Sequence, residues 1–125
     1  MKKYLLLASF FCLSAHADWQ LLYTEDNGAK YFIDLSTVTV VDNHKRVWVL
    51  NELPKANAQG AKSFRSIEEY DCTQFKGRVM QIAAFSGEMA SGELLARGQG
   101  NGNWIQPDSG TLDETIFQKV CAAVK

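Results

Sequence analysis

The sequence predicts an α+β fold, an antiparallel sheet carrying one C-terminal helix, and three observations predict it. From Trp19 onward, short runs rich in β-branched and aromatic residues alternate with turn residues. Thr111–Val124 then changes to helical spacing, with Leu112, Ile116, Phe117, Val120, Cys121 and Val124 forming one stripe. Finally, Cys72 ends a strand-like run and Cys121 sits in the helical stripe, so one bridge would pin the helix to the sheet.

The bridge needs an oxidising compartment, and the N-terminus supplies the route to one. Lys2 and Lys3 precede a short apolar run, Leu5–Leu13, and Ala15-His16-Ala17 has the small-x-small pattern of signal cleavage. The run is shorter than the roughly 20 residues that span a bilayer. Cleavage falls between Ala17 and Asp18, leaving Asp18–Lys125 as a single domain. Cys12 is lost with the signal: Phe10 and Phe11 precede it, where lipidation requires small residues. The exported product is therefore expected to be periplasmic, secreted or at the cell surface, without a lipid anchor or a membrane span. The chain carries a formal net charge of −1, and losing Lys2 and Lys3 makes it more acidic. With no basic cluster, it is a poor candidate for nucleic acid or an anionic membrane.

The elements follow in order. Trp19–Thr24 is the first strand, and Asn27-Gly28 is a hairpin signal because both residues tolerate positive φ. Lys30–Asp34 and the β-branched Thr37–Val41 are the next strands, and Asp42–Lys45 is a polar turn. Arg46–Leu53 is apolar on both faces over its first half, which predicts a covered interior strand. Pro54–Lys62 is a loop. Ser63–Cys72 is the central strand, Lys76-Gly77 a turn and Arg78–Ser86 a further strand. The glycine-rich Gly87–Gly110 offers strands at Glu93–Arg97 and Trp104–Gln106, with a mobile or tightly turned tip at Gly98–Asn103. Thr111 and Glu114 form a T-x-x-E capping box at the head of the helix.

Catalytic groupings are scarce. His44 is the only histidine after cleavage, and it reads as a solvated turn residue, with no second ligand for a metal and no partner for a triad. Glu68, Glu69 and Asp71 form an acidic run, but alternation places Glu68 on one face and the other two on the opposite face. Cross-strand pairing with Arg65, Arg78 or Arg97 accounts for such carboxylates better than glycosidase chemistry, which needs two facing groups. Gly98–Gly102 does not open a helix and so is no phosphate cradle. Cys72 and Cys121 lie too far apart for a redox pair. No catalytic residue, metal site or cofactor is assigned, and the ligand-binding residues are unknown. Trp19, Trp48, Trp104, Tyr23, Tyr31 and Tyr70 are expected mostly in the core, with one or two exposed to anchor a partner.

Tyr31-Phe32-Ile33-Asp34, Arg46-Val47-Trp48-Val49-Leu50, Glu69-Tyr70-Asp71-Cys72 and Phe85-Ser86-Gly87-Glu88-Met89, then Gly92 and Cys121, stand in an order that resembles the surface-adhesin protein E family of Gram-negative bacteria. The resemblance implies about six antiparallel strands, with the helix tethered to the concave side of the sheet. It also implies a non-enzymatic exported protein that binds host extracellular-matrix or serum proteins and tends to form a homodimer. Known members are lipid-anchored, and the residues before Cys12 depart from that pattern. The alternative reading is a soluble periplasmic accessory or inhibitor protein bound to an envelope partner. N-terminal sequencing of the exported protein is expected to begin at Asp18; a chain starting at Met1 or at a lipidated Cys12 contradicts the processing read here.

Overall fold

The structure is a computed structural model that describes residues 17–124. The signal-peptide reading of Met1–Ala17 thus falls, apart from Ala17, outside the described residues. Six strands form one antiparallel meander in which each pairs with its sequence neighbour. They are β1 (Gln20–Thr24), β2 (Lys30–Val41), β3 (His44–Glu52), β4 (Ser63–Asp71), β5 (Lys76–Phe85) and β6 (Leu94–Gln99). The helix α1 spans Leu112–Ala122.

The two expected strands around Leu35 are one. β2 runs through, with a register shift between Asp34 and Thr39. The Thr37 hydroxyl makes this possible. It donates to the Asp34 carbonyl at 2.6 Å and accepts the Trp48 N–H at 3.0 Å, replacing a lost ladder partner. The turn into β3 is also tighter than Asp42–Lys45. Only Asp42 and Asn43 form it, both with positive φ, and this is the twist that a two-residue hairpin requires. His44 therefore opens a strand. Trp104–Gln106 is not a strand; Ile105 makes a single bridge to Gly77. The Gly98–Asn103 tip is turned close against the sheet, because Gly98 and Gln99 belong to β6 and the Gly100 N–H bonds the Met80 carbonyl at 3.0 Å. A Cβ at Gly100 would lie 1.8 Å from the Val79 carbonyl oxygen, so only glycine fits.

Residues opposite one another across antiparallel strands share a face. Val47 faces Glu68, Val49 faces both Ile33 and Ser66, and Lys45 faces Tyr70, which defines the side that α1 covers. Ile116, Phe117 and Val120 are buried there against Ile33, Val38, Val47, Val49 and Tyr70. Each such side chain contributes about 1.5–3 kcal/mol relative to exposure. The cap is as expected in half: the Thr111 hydroxyl accepts the Glu114 N–H at 3.3 Å. The Glu114 carboxylate reaches back one residue further, to the Gly110 N–H. Val124 lies outside the stripe, 97% exposed, because the helix ends at Ala122.

Two fasteners hold the C-terminal end of α1. The Cys72–Cys121 disulfide joins it to the end of β4, closing a separation of 49 residues with Cα atoms 5.7 Å apart. Lys45 donates from Nζ to the carbonyls of Cys121 at 3.2 Å and Ala123 at 2.6 Å, placing a cation on the negative end of the helix. An isolated helix of this length is marginal in water, so docking decides whether it forms. The chain-entropy model gives a bridge of this span about 4 kcal/mol. Cys72→Ser with Cys121→Ser is expected to lower unfolding free energy by about 2–4 kcal/mol, measured by urea denaturation. An unchanged midpoint contradicts this.

Candidate functional site: the helix-free face of the sheet

The face opposite α1 carries a layer of stacked cations and aromatic rings. Its anchor is Glu69, 1% exposed in the middle of the sheet. Register places Arg46 and Arg78 on either side of it in β3 and β5. Its two carboxylate oxygens accept from Arg46 Nε at 2.6 Å and from Arg78 Nη2 at 2.7 Å. His44 Nδ1 stands 3.1 Å from Glu69, and its Nε2 stands 3.5 Å from Asp71. Trp104 closes this end of the face: its ring lies edge-on to His44 at 5.0 Å, with the Arg78 guanidinium 4.2 Å from its centroid.

Burial pushes the Glu69 carboxyl up, but the bonds from Arg46, Arg78 and His44 prevail and hold it below the ordinary glutamate range. Asp71 is also held low, chiefly by the Gln74 N–H, with burial opposing and the Thr73 N–H assisting. Glu68, on the helix side, behaves in the opposite way. Burial pushes its carboxyl up, against the bond from the Tyr70 hydroxyl, and Asp113 adds to the rise. That bond also explains an acidic residue on the apolar side of β4, which sequence alternation left unaccounted for: Glu68 satisfies the hydroxyl of the buried Tyr70.

At the other end of the face a different pair of arginines converges. Arg65, Ala83 and Arg97 stand in one cross-strand row through β4, β5 and β6. Ala83 is the floor between two guanidinium-bearing chains. Arg65 stacks 4.2 Å from the Trp48 ring centroid and 5.2 Å from that of Phe85. The resulting hollow has a volume of about 360 Å³. Neither Arg65 nor Arg97 forms an ion pair among the described residues, unlike Arg46 and Arg78. Burial and the like charge of Arg97 hold the Arg65 guanidinium below its usual value.

The sequence expectations fare unevenly here. Cys72 and Cys121 form the bridge. Alternation separates Glu68 from Glu69 and Asp71 as expected, and Arg78 does pair with Glu69. Arg65 and Arg97 do not pair with an acid. His44 is not a solvated turn residue but a half-buried strand residue held between two carboxylates and Trp104. Among the six aromatics expected mostly in the core, Tyr70 is buried and Tyr23 is 50% exposed. The other four are half-buried, with Trp48 and Trp104 serving as stacking surfaces for cations. Arg46 and the Arg65–Arg97 hollow were missed. The usable signal was cross-strand register, which depends on a bulge in β5 between the partners of Ile67 and Glu68.

The two neighbouring glutamates respond oppositely to pH. Glu69, with its folded pKa depressed, contributes stability above the ordinary glutamate pKa and loses it as pH falls through the folded value. Glu68, with its folded pKa raised, favours the fold at low pH and costs stability as pH rises through the folded value. Thermal unfolding is expected to show Glu69→Gln destabilised by about 2 kcal/mol near neutral pH, with a flatter acid limb, and Glu68→Gln stabilised near neutral pH. Shifts of the same sign contradict this assignment.

Comparison with known proteins agrees with this architecture. The model of the family described as surface-adhesin protein E matches residues 19–122. No match is found among curated proteins. Among solved structures, the Se-Met form of Haemophilus influenzae protein E is 14% identical, with a TM-score of 0.67, covering 82% of this chain and 85% of that one. Crystal form II of the same Haemophilus influenzae protein is 16% identical, with a TM-score of 0.64 and coverage of 74% and 80%. Identities this low speak for the fold alone. The family match spans nearly all the described residues, and on that ground the chain belongs to the surface-adhesin protein E family.

Proposed function

We propose that this chain is an exported, non-enzymatic, adhesin-like protein that binds other proteins, and that host extracellular-matrix or serum proteins are its partners. The observation that carries the reading is the family match over residues 19–122. The helix-free face supports it: α1 leaves it uncovered, and Arg65 and Arg97 stand on it without an ion pair among the described residues. No helix among the described residues is long and apolar enough to cross a membrane.

Processing between Ala17 and Asp18 has physical support. The Asp18 N–H donates to Asp34 Oδ2 at 2.9 Å, and Asp34 is 2% exposed. Cleavage would turn that amide into an α-ammonium beside a buried carboxylate, and charge-assisted bonds are roughly twice as strong as neutral ones. In this reading the mature protein is periplasmic, secreted or at the cell surface, free of a lipid anchor, with self-association into a homodimer as part of it. Phe10 and Phe11 before Cys12 favour a second reading, an unanchored periplasmic protein that binds an envelope partner.

Mature protein applied at physiological salt to immobilised vitronectin, laminin and plasminogen is expected to bind at least one of them saturably. Absence of saturable binding to all three overturns the adhesin form. Cell fractionation separates the two readings: surface or medium supports adhesion, and a purely periplasmic pool supports the envelope role.

A further inference from the structure

Beside α1, on the face of the sheet that carries it, lies a cleft of about 390 Å³. The helix packs on β2, β3 and β4, and the cleft opens where the same face continues onto β5. Cross-strand register sets the floor: Val49, Ser66 and Ile82 stand in one row, and Glu68 and Val79 in the next. Leu112, Asp113 and Ile116 form the wall on the helix side. The floor is apolar and only partly covered, with Ile82 43% exposed. A concave, mostly apolar site with a few convergent polar groups is the usual form of a small-molecule pocket, and about 300–1,000 Å³ is the usual size.

The charged groups of this cleft have one sign. Glu68 and Asp113 line it together, with no lysine, arginine or histidine on the lining. Each acid has a local reason for its place. Glu68 accepts the hydroxyls of Tyr70 and Ser66, and Asp113 stands in the first turn of α1, where the helix dipole favours an anion. Neither reason explains why both border one apolar cleft. Asp113 is tied to no cation among the described residues. It stands near enough to Glu68 to push that carboxyl up, so the two acids repel each other, and the hydroxyls do not remove this repulsion. A carboxylate has about four lone-pair sites, so Glu68 can still accept from a donor. Asn51, also on the lining, has a side-chain oxygen buried without a hydrogen-bond partner, a further acceptor lacking a donor.

These properties together select the occupant. A bare metal ion would leave the apolar floor unused. An uncharged apolar molecule would leave the two acids facing each other. A lysine side chain has the charge, but its thin unbranched stem would fill little of the volume. We propose that the cleft binds a small organic cation, a primary ammonium carried on an aromatic or branched apolar body. The ammonium sits between the Glu68 and Asp113 carboxylates, and the body lies on Val79 and Ile82 against Leu112. The site is on the opposite face from the Arg65–Arg97 hollow and goes beyond the protein-binding reading, which its failure leaves untouched.

The test uses the mature protein with tryptamine, with its uncharged analogue tryptophol, and with N-acetyl-lysine amide as the side chain that a protein partner would offer. Affinity is read by calorimetry, and location by the NMR shifts of the Val79 and Ile82 methyl groups. Tryptamine is expected to bind saturably, about tenfold more tightly than tryptophol, and to move those methyls. Glu68→Gln and Asp113→Asn are each expected to weaken tryptamine about tenfold, the loss that follows from removing one bond between charged groups, and to leave tryptophol unchanged. No binding, equal affinity for tryptamine and tryptophol, unaltered tryptamine affinity in either variant, or shifts confined to other methyls overturns the proposal. N-acetyl-lysine amide binding as tightly as tryptamine would show a seat for a partner's lysine and overturn the small-molecule assignment. The comparison of tryptamine with tryptophol needs no variant, so a misfolded one leaves the test intact.

Discussion

Everything on the helix-free face depends on what holds α1 to the other one. A six-stranded meander has two faces, and among the described residues one α-helix, α1, is there to cover them. The apolar stripe chooses which face is covered, through Ile116, Phe117 and Val120 against the β2–β4 side chains. The stripe alone fastens weakly, since ordering backbone costs roughly 1–2 kcal/mol per residue. The disulfide to the end of β4 and the Lys45 ammonium on the last helical carbonyls convert a marginal contact into a fixed one. With α1 fixed there, the opposite face is left to satisfy its own charges.

How it does so differs along its length. At the end of the sheet where β3 and β5 begin and β4 finishes, Glu69 absorbs two arginines and a histidine, and Trp104 folds over the group. The result is closed: Glu69, Asp71, Arg46, Arg78 and His44 each have a partner within the group. Toward β6 the same device is left half built. Arg65 has its aromatic support but no carboxylate, and Arg97 stands on an open strand edge. One protein surface thus carries a finished ion-pair node and an unfinished one. The finished node ties β3, β4 and β5 together through Glu69, and the second pair of arginines has no such acid.

Most of the architecture was legible because it depends on local pattern. Alternation found five of the six strands with small errors in their ends. The T-x-x-E box and the apolar spacing found the helix, and two cysteines found its tether. The errors come from side chains acting as backbone. Thr37 bonds across the Asp34–Thr39 irregularity, so two apparent strands fuse. The two positive-φ residues Asp42 and Asn43 shorten the turn and move His44 into the sheet. The hollow was invisible for a different reason. Its residues are far apart in sequence, and only the register of three strands, displaced by the β5 bulge, brings Arg65, Ala83 and Arg97 into one row.

Hydrogen exchange of the α1 amides in oxidised and reduced protein tests the central claim most directly. The account predicts that Leu112–Ala122 exchanges slowly when oxidised and loses that protection on reduction, while β3 and β4 remain protected. Equal protection in both states, or a helix unprotected while the disulfide is intact, would contradict it.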